Sequence, residues 1–247
     1  MDFFCRMENL LFYKGKHRIK DKKNGGIEMK VSDFMSKNPI YITPDTSVTD
    51  AKALMMKEKI SKLPVLDKSN SLVGIITKND LQKAGPSDAS TLDIYELGYL
   101  LSKLKVEKIM IKKVLTVDIN EVVEEAARIM ADQKIGCLPV MSEGVLAGII
   151  TETDIFNAFV AMFGARHPGV RAIVECAEKP GELARISEAV AEKNGNIISV
   201  VTADGSDVSK RNVTVKVSNI GLKDFEELLK GAGVKIQTAE CKVCVNN

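Results

Sequence analysis

Apolar residues fall on one helical face at Val48, Ala51, Leu54 and Met55, and again at Val123, Ala126, Ile129 and Met130. A β-rich trio, Ile40-Tyr41-Ile42, precedes the first set and is stopped by Thr43-Pro44-Asp45, after which Thr46, Ser47 and Asp50 supply helix-start chemistry. Each helix ends near a basic residue, Lys59 or Lys134, suited to the negative end of its dipole. Two apolar runs then predict strands, Leu63 to Leu66 and Leu72 to Ile76, around the polar turn 67–71. The pattern of short strand, helix, strand, turn, strand, helix occurs twice. Lys62-Leu-Pro-Val65 and Gly74-Ile-Ile-Thr-Lys-Asn-Asp80 return as Cys137-Leu-Pro-Val140 and Gly148-Ile-Ile-Thr-Glu-Thr-Asp154. The offset is 75 residues from Met35/Met110 to Val65/Val140 and 74 at Gly74/Gly148, so the second copy's turn, near Ser142-Glu143-Gly144, is one residue shorter.

Beyond Phe163-Gly-Ala-Arg-His-Pro-Gly169 the pattern changes. Val170 to Cys176, Asn196 to Thr202, Asn212 to Val217 and Val234 to Thr238 read as strands, with helices from Pro180 to Lys193 and from Leu222 to Gly231. The order βαββαβ is that of a ferredoxin-like unit. Leu183, Ile186, Ala189 and Val190 on one helix, and Phe225, Leu228, Leu229 and Ala232 on the other, would cover one face of a single antiparallel sheet.

Composition then limits the function. The chain has 247 residues, 45% of them apolar, and a formal charge of +2. Residues 1–28 hold seven Lys/Arg against four Asp/Glu, a surplus of three, which leaves the remainder at −1. The folded part therefore makes no electrostatic case for nucleic acid, and a basic arm on anionic partners is confined to that extension. No run is long and apolar enough to span a bilayer, and the apolar stretch 3–12 precedes its basic cluster, the reverse of a secretory signal. Five cysteines at 5, 137, 176, 241 and 244 form no disulfide framework, so reduced thiols and a cytoplasmic protein are expected. Met29 is an alternative start.

Thr77-x-x-Asp80 and Thr151-x-x-Asp154 each sit where a strand meets a helix. Two readings compete. One is a capping box, with Thr and Asp exchanging hydrogen bonds with the first-turn amides. The other places phosphate on the free amides of the helix start and vicinal ribose hydroxyls on the carboxylate.

With these paired strings, residues 30 to 160 resemble the CBS (cystathionine β-synthase) domain pair, or Bateman module. The resemblance implies adenine nucleotides, or S-adenosylmethionine, in clefts between the repeats. It implies ribose on Asp80 and Asp154, phosphate beside Thr77 and Thr151, adenine against the backbone at Lys62 and Cys137, and apolar walls at Ile42 and Val117. The copies differ after the Thr, at Lys78 and Glu152. Lys adds to the positive helix end and Glu opposes it, so the first cleft is expected to favour di- or triphosphates and the second a monophosphate or uncharged nucleoside.

Glu178-Lys-Pro-Gly-Glu-Leu183 and Asn194-Gly-Asn-Ile197 carry a resemblance of the C-terminal unit to ACT domains. It implies association through the domain and an amino acid or similar effector near Gly181 and Asn196. The alternative stands that Pro180-Gly181 only starts a helix and Gly195 only ends one. The order of domains and the segment Leu92 to Val106 are similar to AcuB-like acetoin-utilisation proteins. Cys241-x-x-Cys244 is half a zinc site at most, and His17 and His167 are the only histidines.

The sequence thus predicts an α+β chain: an extension 1–28, CBS repeats at 29–85 and 105–163 joined by a helical linker 86–104, an ACT domain at 169–240 and a tail 241–247. The expected function is a non-enzymatic regulatory sensor that needs no cofactor, binds adenine nucleotide and forms a homodimer. A nucleic-acid regulator using the basic arm and a purely structural scaffold are the competing classes.

Overall fold

The structure, a computed structural model, describes residues 29–84 and 103–242. The basic extension, most of the expected linker helix and Cys244 lie outside the described residues. The chain divides into two compact units, 1–152 and 153–247.

The first unit contains α1 (Val31–Phe34), β1 (Ser36–Lys37), α2 (Val48–Glu58), β2 (Lys62–Leu66), β3 (Leu72–Thr77) and α3 (Lys78–Lys83). After a 3-10 turn at Val106–Lys108 come β4 (Val117–Asp118), α4 (Val123–Gln133), β5 (Cys137–Ser142) and β6 (Val145–Thr151). Ser47 caps α2, its Oγ accepting from the Asp50 amide at 3.0 Å and donating to the Asp50 carboxylate at 2.7 Å. Val48, Ala51 and Met55 of α2, and Val123, Ala126 and Met130 of α4, are buried as their spacing requires. Lys59 and Lys134 end these helices in the left-handed region, at φ 55° and 53°. Their position is thus a backbone stop as well as a charge at the dipole's end.

The strands β2 and β3 form an antiparallel hairpin with Leu63 opposite Ile76, and β5 and β6 repeat it with Leu138 opposite Ile150. In the first hairpin Asp67 Oδ1 accepts from the Ser69 and Ser71 amides. In the second, two residues with positive φ, Glu143 and Gly144, suffice, which is where the missing residue went. The strand expected at Ile40-Tyr41-Ile42 shrinks to a parallel bridge between Ile42 and Val65, with Ile40 and Tyr41 exposed. Thr43-Pro44 follows at once, and proline cannot donate to a ladder.

The repeats exchange their leading segments. Ser36 and Lys37 pair with Ile149 and Gly148 of the second repeat, while Ile75 of the first exchanges both backbone bonds with Ile111 at 2.9 and 3.0 Å. Met35 packs on Gly148 and Met110 on Gly74, so that an added Cβ would lie 2.4 and 2.5 Å from the respective sulfurs. The N–H groups of Val31 and Val106 donate to Glu121 and Thr46, each in the opposite repeat.

The helix α5 (Glu152–Met162) begins on the last residue of the first unit and otherwise belongs to the second, followed by β7 (Gly169–Ala177), α6 (Glu182–Glu192), β8 (Asn196–Asp204), β9 (Lys210–Ser218), α7 (Leu222–Gly231) and β10 (Lys235–Lys242). The last six elements make the expected βαββαβ order. Their sheet runs β10-β7-β9-β8, antiparallel throughout. Val170, Ala172, Val174, Val213, Val215 and Val217 face one way and bury against Ile186, Val190, Phe225 and Leu229 of the two helices. On α6 the stripe differs from expectation at one end. Leu183 is 45% exposed while Glu182 is buried, bonded to Arg185 and 3.5 Å from Lys179.

Candidate functional site

The Thr77-x-x-Asp80 string forms the capping box that its spacing allows. Thr77 ends β3 and stands at the N-cap of α3; its amide donates to Asp80 Oδ2 at 2.9 Å and its hydroxyl donates to the same oxygen at 2.7 Å. Among the described residues the hydrogen bonds to the Asp80 carboxylate all fall on Oδ2. A carboxylate oxygen offers two lone pairs, so the box leaves acceptor capacity that the ribose reading needs. Capping and ligand binding are therefore compatible at one residue. Lys78 is exposed, and its ammonium makes no ion pair among the described residues.

The two copies differ in access. Asp154 on α5 is 3% exposed, whereas Asp80 is half-buried. Thr151 closes β6 opposite Cys137, as Thr77 closes β3 opposite Lys62.

At the strand starts the structure brings predicted residues together across the repeat. Lys62 Nζ donates to the Gly136 carbonyl at 2.6 Å, one residue before Cys137. The Lys78 amide donates to Ser61 at 2.8 Å and the Glu152 amide to Gly136 at 3.3 Å, matching bonds in the two copies. Glu152 also lies over Gly136, where an added Cβ would fall 2.8 Å from its carboxylate. Burial pushes the Cys137 thiol up to about 11, with the Lys62 cation opposing and the Glu152 anion adding. The charge of Glu152 thus acts on the start of the strand that the resemblance assigns to adenine. Sequence reasoning missed this cluster because Gly136 carries no chemistry of its own. Ile42 and Val117, the expected apolar walls, are both buried on the parallel connections to β2 and β5.

In the second unit Gly181 caps α6 at φ 94°, and a Cβ there would meet nothing within 4 Å. Its glycine is demanded by backbone angle rather than by crowding. Asn196 opens β8, exposed and paired with Ser218, and no hydrogen bond joins it to Gly181. Glu178, at the start of this loop, pairs with Arg211. Among the described residues no group of three or more His, Cys, Asp and Glu could hold a metal ion. No helix of the described residues is long and apolar enough to cross a membrane.

The CBS domain model matches residues 31–87 and 106–161, and a TTHA0829-like ACT domain model matches residues 168–239. Inosine-5'-monophosphate dehydrogenase of Staphylococcus aureus is 28% identical over 226 residues, which are 90% of this chain and 41% of that enzyme. The chain thus spans less than half the length of these curated relatives. Among solved structures, the CBS domain pair of protein MJ0100 in complex with 5'-methylthioadenosine and S-adenosyl-L-methionine is 31% identical, covers 53% of this chain and 94% of its own, and has a TM-score of 0.44. A putative acetoin utilization protein (AcuB) from Vibrio cholerae is 31% identical over 53% of this chain and 90% of its own, with a TM-score of 0.45.

Proposed function

We propose a function from one premise: the chain belongs to the CBS-domain family and carries a TTHA0829-like ACT domain behind its CBS pair. It is a regulatory, non-enzymatic cytoplasmic sensor that binds adenine nucleotide between the CBS repeats and uses the ACT domain to form a homodimer. An amino acid or similar effector near Gly181 and Asn196 belongs to the same reading.

The observation that carries the nucleotide reading is the engagement of Asp80: one oxygen holds the helix start, and the other is left to accept ribose hydroxyls. Beside it Lys78 projects an exposed ammonium to which polyphosphate adds favourable charge. The second copy offers Glu152, whose carboxylate lies over Gly136, and a buried Asp154. The first cleft therefore favours ATP or ADP, and the second AMP or an uncharged nucleoside.

Calorimetric titration of ATP and AMP into the wild type, Asp80→Ala and Asp154→Ala tests this. Asp80→Ala should remove the site that prefers ATP and Asp154→Ala the one that prefers AMP. Equal phosphate preference at both sites would sink the assignment, and silence from every nucleotide would leave a structural scaffold as the better account.

A further inference from the structure

Among the described residues of the second unit four charged side chains are buried, and three are carboxylates. Glu175 accepts from Ser206 at 2.9 Å and has Lys210 and Lys235 each at 3.7 Å, which together hold its carboxyl below the usual range. Glu182 has Arg185 and Lys179. Asp154 too is partnered. The fourth, Lys216, is 5% exposed and has one hydrogen bond, from Nζ to the Gly164 carbonyl at 2.7 Å. Among the described residues no carboxylate pairs with it. A buried ammonium with two donors unused and no counter-charge is costly, and native structures answer such groups with an anion.

The surroundings of Lys216 make the deficit larger. It lies on the sheet face opposite the two helices, directly across from Arg171 on β7 and Ser199 on β8. Like charges placed opposite one another on a sheet repel. Arg171 has Glu240 at 3.6 Å, which leaves Lys216 as the charge without compensation. Between these residues is a hollow of about 350 Å³ lined by Phe163, Arg171, Ser199, Val201, Thr214 and Lys216. Its size suits a small metabolite. Among the described residues the Thr214 hydroxyl has no hydrogen-bond partner, and Phe163 and Val201 give the hollow an apolar side.

We infer that this hollow binds a small monocarboxylate, its carboxylate on Lys216 and Arg171 with the Thr214 hydroxyl, and its apolar part against Phe163 and Val201. One uncompensated positive charge matches a monoanion and not a dianionic phosphate. The site is separate from Gly181 and Asn196 and does not depend on the nucleotide reading.

Calorimetry of the full chain with amino acids, 2-hydroxy acids, 2-oxo acids and short fatty acids, and with inorganic phosphate, is the test. At least one monocarboxylate should bind. Lys216→Met and Val201→Trp, the second filling the hollow, should each weaken it by about tenfold or more, while Asp80→Ala leaves it unchanged. Lys216→Met should melt no lower than the wild type without ligand, since a buried unpaired charge is replaced by an apolar chain of similar length. No binding by any monocarboxylate at millimolar concentration overturns the inference, as does undiminished binding in both variants or tighter binding of phosphate. Loss of nucleotide binding in Asp80→Ala bears only on the CBS clefts.

Discussion

Cys137 shows at the scale of one residue how the repeat differences become chemistry. Its thiol is buried, pushed up to about 11, drawn down by Lys62 and raised further by Glu152. Thiolate is the reactive form, so at pH 8 this cysteine should alkylate far more slowly than the exposed Cys241. The sign of each neighbour follows. Lys62→Met removes the cation that favours thiolate and should slow Cys137 further; Glu152→Gln removes the opposing anion and should speed it. Peptide-resolved mass spectrometry of iodoacetamide labelling reads both rates, and changes in the opposite directions would show that access rather than charge controls the site. The Thr77 and Asp80 pair was legible from spacing alone, because a capping box is local. The Lys62 bond to Gly136 spans 74 residues and was not, because a glycine carbonyl gives no sequence signal.

At the scale of elements, hydrophobic periodicity located the helices and hairpins but not the exchange of leading segments between repeats. Val31 to Met35 and Val106 to Met110 match each other in sequence, and a match cannot say which repeat each segment joins. The closeness of Met35 to Gly148 and Met110 to Gly74 settles it. These contacts predict unequal costs. At Gly74 an added Cβ meets mainly the flexible Met110 sulfur, its nearest backbone atom being the Ile111 carbonyl oxygen at 3.2 Å; at Gly148 it also meets the Ser36 carbonyl oxygen at 2.9 Å. Gly74→Ala should cost about 1 kcal/mol and Gly148→Ala about 2–3 kcal/mol, the range of overpacked sites. Met110→Ala should recover part of the first cost, and Met35→Ala little of the second, because a carbonyl in a strand pair cannot move aside. Urea denaturation of the single and double variants measures both couplings.

At the scale of the whole molecule, Gly164, Pro168 and Gly169 mark the segment 164–169 as one where the chain can bend. The structure ties its beginning down: the Phe163 carbonyl accepts from Ser199 at 3.1 Å, and the Gly164 carbonyl from Lys216 at 2.7 Å. Composition shows where a chain can bend, while these bonds come from side chains 36 and 52 residues away. One continuous helix, α5, therefore starts where the second Gly-Ile-Ile-Thr string ends and finishes at the residues bonded to β8 and β9. If nucleotide binds beside Asp154, as proposed, it acts elsewhere only by favouring one arrangement over another, and α5, which carries Asp154, is the segment whose response tests this. Adenine nucleotide should thus alter hydrogen exchange at the amides around Ser199 and Lys216, and Asp154→Ala should abolish the change. Inserting two glycines after Met162 should uncouple it while leaving nucleotide affinity intact. Exchange at β8 and β9 that ignores nucleotide in the wild type would show that the two units respond independently, with α5 a tether and not a transmitter.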